Sequence, residues 1–260
     1  MEKVVKNSLG YDSDLYVYQD KSMFNYSVDT ILLGNFLTIN SRVKNILEIG
    51  TNNGALSIFV SARSEKIKID ALEIQEKAIK LAEKNIKLNK KSDQINLIHG
   101  DFNDFYREHC KNQSQKYDAI VCNPPFYKVK ASLKNKGSKE KLIATHELML
   151  TLEEVISGSS KIIKQKGYLA IVEPTERLVD ILVLMRKYNF EPKRIQMIHP
   201  REDQKSNLVL VEGRFQVGWG THHLPNIYLH TLNKDEHAYR EEVKELYKPM
   251  KVGGRNNAKK

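Results

Sequence analysis

The sequence predicts a doubly wound α/β fold: a mostly parallel seven-stranded sheet with helices on both faces and an antiparallel last strand. Three observations carry this. Short β-branched runs alternate with amphipathic helical stretches along most of the chain, the pattern that lays parallel strands side by side. The first of the alternating strands, Asn45 to Ile49, runs into a glycine turn, Gly50-Thr51-Asn52-Asn53-Gly54, that opens a helix. The last two strands are joined only by the turn-like stretch 200–204, too short for a crossover, so they pair antiparallel.

With 260 residues and 40% hydrophobic content, the chain can bury one full core and a small appendage. We divide it into a hairpin extension over 1–26, a main domain over 27–250 and a basic tail over 251–260. Lysine and arginine outnumber aspartate and glutamate by 42 to 32, a formal charge of +10. That excess favours an acidic partner, nucleic acid first, with solvated lysine faces as the plain alternative. Cys110 and Cys122 form no C-x-x-C pair, and the adjacent His222 and His223 lack metal-ligand spacing, so no metal is expected. No run of 18 apolar residues and no signal-peptide pattern occurs, which predicts a cytoplasmic chain away from membranes.

Leu15 to Gln19 and Met23 to Tyr26 alternate at period two around Asp20-Lys21-Ser22, predicting a tyrosine-rich hairpin. A helix follows over 30–37, with Asp29 or Ser27 as its cap. The glycine turn lacks the G-x-G-x-x-G spacing of dinucleotide sites. Glu48-x-Gly50-x-x-x-Gly54 instead resembles the first motif of S-adenosylmethionine-dependent methyltransferases, with Asn52, tolerant of positive φ, at a position where many of them carry glycine. This resemblance implies a Rossmann-like sheet whose Glu48, Gly50, Thr51, Asn52 and Gly54 cradle S-adenosyl-L-methionine.

The next strand, 67–74, ends in Glu73, where an acid holds ribose hydroxyls, with Ile74 against the adenine of the cofactor. The competing role for Glu73 is capping the helix over 75–90, whose lysines are solvated charge. A third strand, 94–102, ends in Asp101 and Phe102. Asp101 is placed to accept from the adenine amino group and Phe102 to donate its backbone N–H, again with helix capping as the alternative for Asp101. His99 is expected to face the sheet.

The fourth strand, Tyr117 to Cys122, stops at Asn123-Pro124-Pro125-Phe126, because proline cannot continue a ladder. An exocyclic amine on a planar ring is a poor nucleophile, its lone pair being delocalised into the ring. The side-chain carbonyl of Asn123 and the stiffly held backbone carbonyl of Pro124 suit the two amino protons of such a group. Phe126 offers a face on which a base stacks. Beyond it, 127–141 carries Lys128, Lys130, Lys134, Lys136, Lys139 and Lys141, so Pro125, Tyr127 and the first four of these lysines are the expected contacts to a nucleic-acid backbone, against a solvated loop as alternative. His146 lies in a helix expected to begin near 144 and run to 162. Strands follow over 167–172, 193–199 and 206–213, with a helix over 176–188.

The chain from about 14 to 250 resembles class I methyltransferases carrying an N-P-P-[FY] motif. More narrowly it is similar to the bacterial tRNA1(Val) (adenine-N6)-methyltransferase family. The likeness rests on Ser27-x-Asp29-x-x-Leu32-Leu33, the Gly50 to Gly54 turn, Asn123 to Phe126, and the strand Leu208-Val209-Leu210-Val211-Glu212-Gly213. It implies a monomeric enzyme that methylates the N6 amine of the adenine 3′ of the anticodon in tRNA. Other readings stay open at the level of sequence: methylation of guanine N2 in rRNA, methylation of a glutamine amide in a release factor, or RNA binding on an inactive fold.

Overall fold

The computed structural model describes residues 4–11, 13–20, 23, 25–124 and 150–252. Strands β3 (Asn45–Ile49), β4 (Lys68–Glu73), β5 (Ile95–His99), β6 (Tyr117–Cys122) and β7 (Ile163–Pro174) are parallel. β9 (Leu208–Phe215) runs antiparallel between β7 and β8 (Phe190–His199), so the order across the sheet is β8-β9-β7-β6-β3-β4-β5. Two further strands of two residues each, β10 (His222–His223) and β11 (Ile227–Tyr228), lie along the outer edge of β8. Among the described residues the sheet therefore has nine strands rather than seven. These short strands cover backbone groups of β8 that an open edge would leave unpaired.

The central strands read as near-continuous apolar runs because both of their faces are covered. Helices α1 (Val28–Phe36), α2 (Ala55–Ser61) and α3 (Glu76–Leu88) close one core. Helices α4 (Phe102–Lys111), α5 (Leu152–Ile162) and α6 (Leu178–Lys187) close the other. The exception on β6 is Asp118, whose carboxylate accepts from the backbone N–H groups of Lys44 and Asn45 and from Lys164 Nζ at the amino end of the sheet.

Several expectations shift. The hairpin pairs β1 (Val4–Ser8) with β2 (Tyr16–Asp20), not 15–19 with 23–26. The physical reason is that the second edge of β2 is already occupied: Asn89 and Asn85 of α3 exchange amide hydrogen bonds with the backbone of Tyr16 and Tyr18. α5 begins at Leu152 behind a Thr151–Glu154 capping box, so no continuous helix runs from 144. α1 has no side-chain cap. Ser27 instead donates to Asp29, and Asp29 accepts from the backbone N–H of Thr30. His99 is exposed at the end of β5, its Nε2 3.0 Å from the Ile74 carbonyl. No helix among the described residues is long and apolar enough to cross a membrane.

Candidate active site

The strand order reverses at β3, whose neighbours β4 and β6 lead away in opposite directions, and ligands of open α/β sheets bind at the carboxyl ends beside such a reversal. Two concavities of about 330 Å³ each sit there and share Gly50. One is lined by Tyr26, Thr30, Glu48, Thr51, Asn53 and Asn123. The other is an apolar slot between Ile49, Leu72 and Ile74 on one side and Gly100, Phe102 and Leu150 on the other, with Glu73 and Asp101 at its wall.

The glycine turn is built to bring backbone close to a ligand. Gly50 and Gly54 have φ of +75° and +81°, and Asn52 takes +50°, as the sequence allowed. A Cβ at Gly50 would meet nothing within 4 Å, whereas one at Gly54 would lie 3.5 Å from Ala82 Cβ. Gly50 thus opens onto the site and Gly54 lets α3 pack behind it. The backbone N–H groups of Gly50 and Thr51 both donate to the Leu72 carbonyl at 2.9 Å, which ties the turn to the end of β4.

Glu73 is buried at that end, and its two oxygens accept from the backbone N–H groups of Asn52 and Gln75, each at 2.8 Å. The fixed carboxylate keeps lone pairs for a diol. It also does what the capping alternative required, since Gln75 stands at the start of α3. Asp101 shows the same duality: its Oδ1 caps α4 through the N–H groups of Asn103 and Asp104, and the residue still lines the slot. Phe102 is the first residue of α4, where the backbone N–H has no partner within the helix. Its ring packs under the slot against Tyr106 and against Gly158, where a Cβ would come within 2.6 Å of it. Glu48 is fully buried and accepts from the hydroxyls of Thr51 and Ser57, and burial pushes its carboxyl up to about 7.

At the end of β6 the side chain of Asn123 donates through Nδ2 to Thr30 Oγ1 at 3.2 Å. Its carbonyl Oδ1 is buried and has no hydrogen-bond partner among the described residues, and neither has Asn53 Nδ2 in the same concavity. A buried acceptor and a buried donor, both on residues that line one concavity, are groups a ligand there could satisfy. Gly50, Glu73, the apolar slot and the Asn53 Nδ2 donor together fit a nucleoside carrying an amino-acid tail, which leaves Asn123 Oδ1 for a second ligand. Pro124 is buried beside Asn123. Pro125, Phe126, Tyr127, Lys128, Lys130, Lys134, Lys136 and His146 lie outside the described residues.

The sequence reading missed Tyr26, Thr30, Asn53 and Leu150. Asn53 was legible inside the glycine turn, and Thr30 stands in the very stretch singled out around Asp29. Tyr26 and Leu150 join the site only through the fold.

A tRNA1(Val) (adenine(37)-N6)-methyltransferase of Flavobacterium psychrophilum is 29% identical over 196 residues, 75% of this chain and 81% of that protein. A protein of the same name from Christiangramia forsetii is 28% identical over 228 residues, 88% and 91% of the two chains. Among solved structures, a predicted O-methyltransferase from Agrobacterium tumefaciens superposes with a TM-score of 0.66 at 19% identity, covering 88% of this chain and 99% of its own, a likeness of fold. The methyltransferase small domain matches residues 17–186, a span that holds the glycine turn, Glu73, Asp101 and the Asn123-Pro124 strand end. The chain belongs to the methyltransferase small domain family.

Proposed function

We propose that this protein transfers a methyl group from S-adenosyl-L-methionine to the N6 amine of an adenine in tRNA, the base 3′ of the anticodon in tRNA1(Val). The observation that carries the chemistry is the buried, unpartnered carbonyl of Asn123 at the end of β6, in the concavity that adjoins the nucleoside slot. The names of the relatives support the substrate, and so does the charge of +10.

In this reading Glu73 holds the ribose diol, Ile74 packs on the cofactor's adenine, and Asp101 with the Phe102 N–H reads its edge. Glu48, Gly50, Thr51, Asn52 and Gly54 shape the turn around the remainder, and Asn53 Nδ2 donates to its carboxylate. When bound, S-adenosyl-L-methionine supplies an electrophilic methyl group on a sulfonium. The target base leaves its stack, which suits a chemistry that cannot occur inside a helix stem. Asn123 Oδ1 and the Pro124 carbonyl would accept hydrogen bonds from its two amino protons, which localises the nitrogen lone pair for attack; the N–CH3 bond would form as the S–CH3 bond breaks, its electron pair staying on sulfur as a neutral thioether. Phe126 provides the stacking face, and Lys128, Lys130, Lys134 and Lys136 meet phosphates. Once the nitrogen carries the methyl group its extra proton is acidic and passes to solvent, so no strong base is required.

The test is incubation with methyl-labelled cofactor and unmodified total tRNA, with rRNA and release factors in parallel, followed by nucleoside and amino-acid analysis. Label is expected as N6-methyladenosine in tRNA, and Asn123→Ala should bind cofactor normally while losing about 100-fold or more in turnover, the scale of removing one preorganised donor or acceptor from a transition state. Label confined to rRNA guanine or to a glutamine would overturn the substrate. Wild-type turnover in the Asn123→Ala variant would overturn the mechanism.

A further inference from the structure

An amide can face a ligand in two ways, and only one serves this chemistry. With its carbonyl toward the target amine, Asn123 accepts a proton. Turned over, it presents a second donor to a group that is itself a donor, and the attack is opposed. Something must therefore select the orientation, and the chain supplies it from a distant element. Thr30, buried in the first turn of α1, receives the Asn123 Nδ2 proton on its Oγ1 at 3.2 Å, and both residues line the same concavity. Thr30 is itself held on the backbone side: its N–H donates to Asp29 Oδ1 at 2.8 Å and to the Ser27 carbonyl at 3.1 Å, while the Ser27 hydroxyl donates to the same Asp29 carboxylate. Asp29 is buried too, while Ser27 stands exposed at the helix start.

We infer that Thr30 is the positioning residue of the methyl-transfer site: its hydroxyl oxygen takes the Asn123 amide N–H and so leaves Asn123 Oδ1 directed at the target amine, with Ser27 and Asp29 fixing the helix end that carries it. This rests on the methyl-transfer reading above. Thr30 touches neither reacting atom in this account; it acts through Asn123. The stretch Ser27-x-Asp29-Thr30 thereby acquires a role beyond starting a helix.

The experiment compares Thr30→Val, which keeps the shape and removes the oxygen, with Thr30→Ser, which restores it. Calorimetric titration with S-adenosyl-L-methionine checks the fold and the cofactor site of each. For Thr30→Val we expect cofactor affinity within about two-fold of wild type and kcat down roughly ten-fold, the worth of one hydrogen bond. KM for tRNA should stay nearly constant, because the orientation of Asn123 matters most as the nitrogen reacts. Thr30→Ser should recover kcat to within about three-fold. Single-turnover rates with enzyme in excess extend the comparison to the Asn123→Ala background, where Thr30→Val should have no further effect, since the two residues act as one unit. Unchanged kcat in Thr30→Val, or an equal loss in both backgrounds, would overturn the inference. Should Thr30→Val fail to fold, Thr30→Ala with the same non-additivity test decides the matter. Failure of the underlying reading is recognised separately: the wild-type protein itself would then form no N6-methyladenosine.

Discussion

At the foot of the glycine turn, Glu48 is enclosed on all sides and its carboxyl titrates near 7, because burial penalises the charged form more than the hydroxyls of Ser57 and Thr51 relieve it. The unfolded chain ionises the same group near 4.5, so between that value and about 7 the folded state holds a proton that the unfolded state has released. Stability from this group is thus complete below 4.5 and is lost as pH rises to about 7, a decline of roughly 3 kcal/mol at most. Glu48→Gln has no charge to bury, and one amide oxygen can still accept from both hydroxyls. Urea titrations at pH 5 and pH 8 should show the variant gaining on wild type as pH rises; a difference independent of pH would mean that Glu48 is ionised throughout. The acids at strand ends were legible in the sequence because each sits in or within three residues of an apolar run, and the run announces the strand. Whether Glu73 and Asp101 cap a helix or face a ligand was posed as a choice, and the structure shows Asp101 as the cap of α4 and Glu73 bonded to the N–H of Gln75, the residue at the cap of α3, while both line the slot. Thr30 was not legible as a site residue, because its partner Asn123 lies 93 positions away and local pattern carries no information about a pair so separated.

Among elements, the N-terminal hairpin is where sequence pattern misled, and the cause is a mimicry of strand by helix. Period-two alternation around Asp20 describes a ribbon with two strand partners, but β2 has one strand partner and one row of asparagine amides. Asn85 and Asn89 stand one helical turn apart on α3, and that spacing places their amides against Tyr16 and Tyr18, two residues apart on the strand. Asn85 is fully buried, and its Nδ2 donates as well to the Asn53 carbonyl in the cofactor turn at 2.8 Å. One side chain therefore ties the hairpin to the site. Asn85→Ala would strand the Tyr18 N–H and carbonyl and the Asn53 carbonyl without partners, which should cost about 2 to 3 kcal/mol of stability and weaken cofactor binding at the turn. Urea denaturation measures the first effect, and loss of hydrogen-exchange protection at the Tyr18 amide localises it. Protection at Tyr18 equal to wild type would show that the hairpin is held elsewhere. Of the parallel strands, β3 and β6 were legible to the residue and β4 within one, since their apolar runs are continuous and buried, whereas the half-exposed β5 stops three residues before the reading and β7 starts four residues earlier.

At the scale of the whole molecule, shape and charge are distributed unequally along the chain, and the site lies where they meet. The sheet places its strand reversal between β4 and β6, which brings the Glu73 and Asn123 ends together. The formal charge is concentrated elsewhere. Between 125 and 149 six lysines stand against Glu140 and Glu147, and Arg255, Lys259 and Lys260 close the chain, so these two stretches carry seven of the ten net positive charges. The remaining residues are close to balance, with surface lysines such as Lys80 and Lys87 already paired to Glu76 and Glu83. The first basic stretch begins and ends at the site: Asn123 lines one concavity just before it, and Leu150 lines the other just after it. Each phosphate neutralised by such a lysine releases counterions, so affinity for tRNA should fall about 10- to 100-fold between 50 and 200 mM salt if some three or four contacts form. Replacing Lys128, Lys130, Lys134 and Lys136 together by glutamine should flatten the dependence of log Kd on log salt by about one unit per lost contact. Cofactor affinity should be the same in the quadruple variant and the wild type at each salt concentration, because Glu73 and Asn53 belong to the rest of the chain. Filter-binding isotherms with tRNA across a salt series, alongside calorimetry with S-adenosyl-L-methionine, separate the two. An unaltered slope in the quadruple variant would move the RNA contact away from this stretch and onto the rest of the chain, whereas a flattened slope with intact cofactor binding assigns grip and chemistry to different parts of one chain.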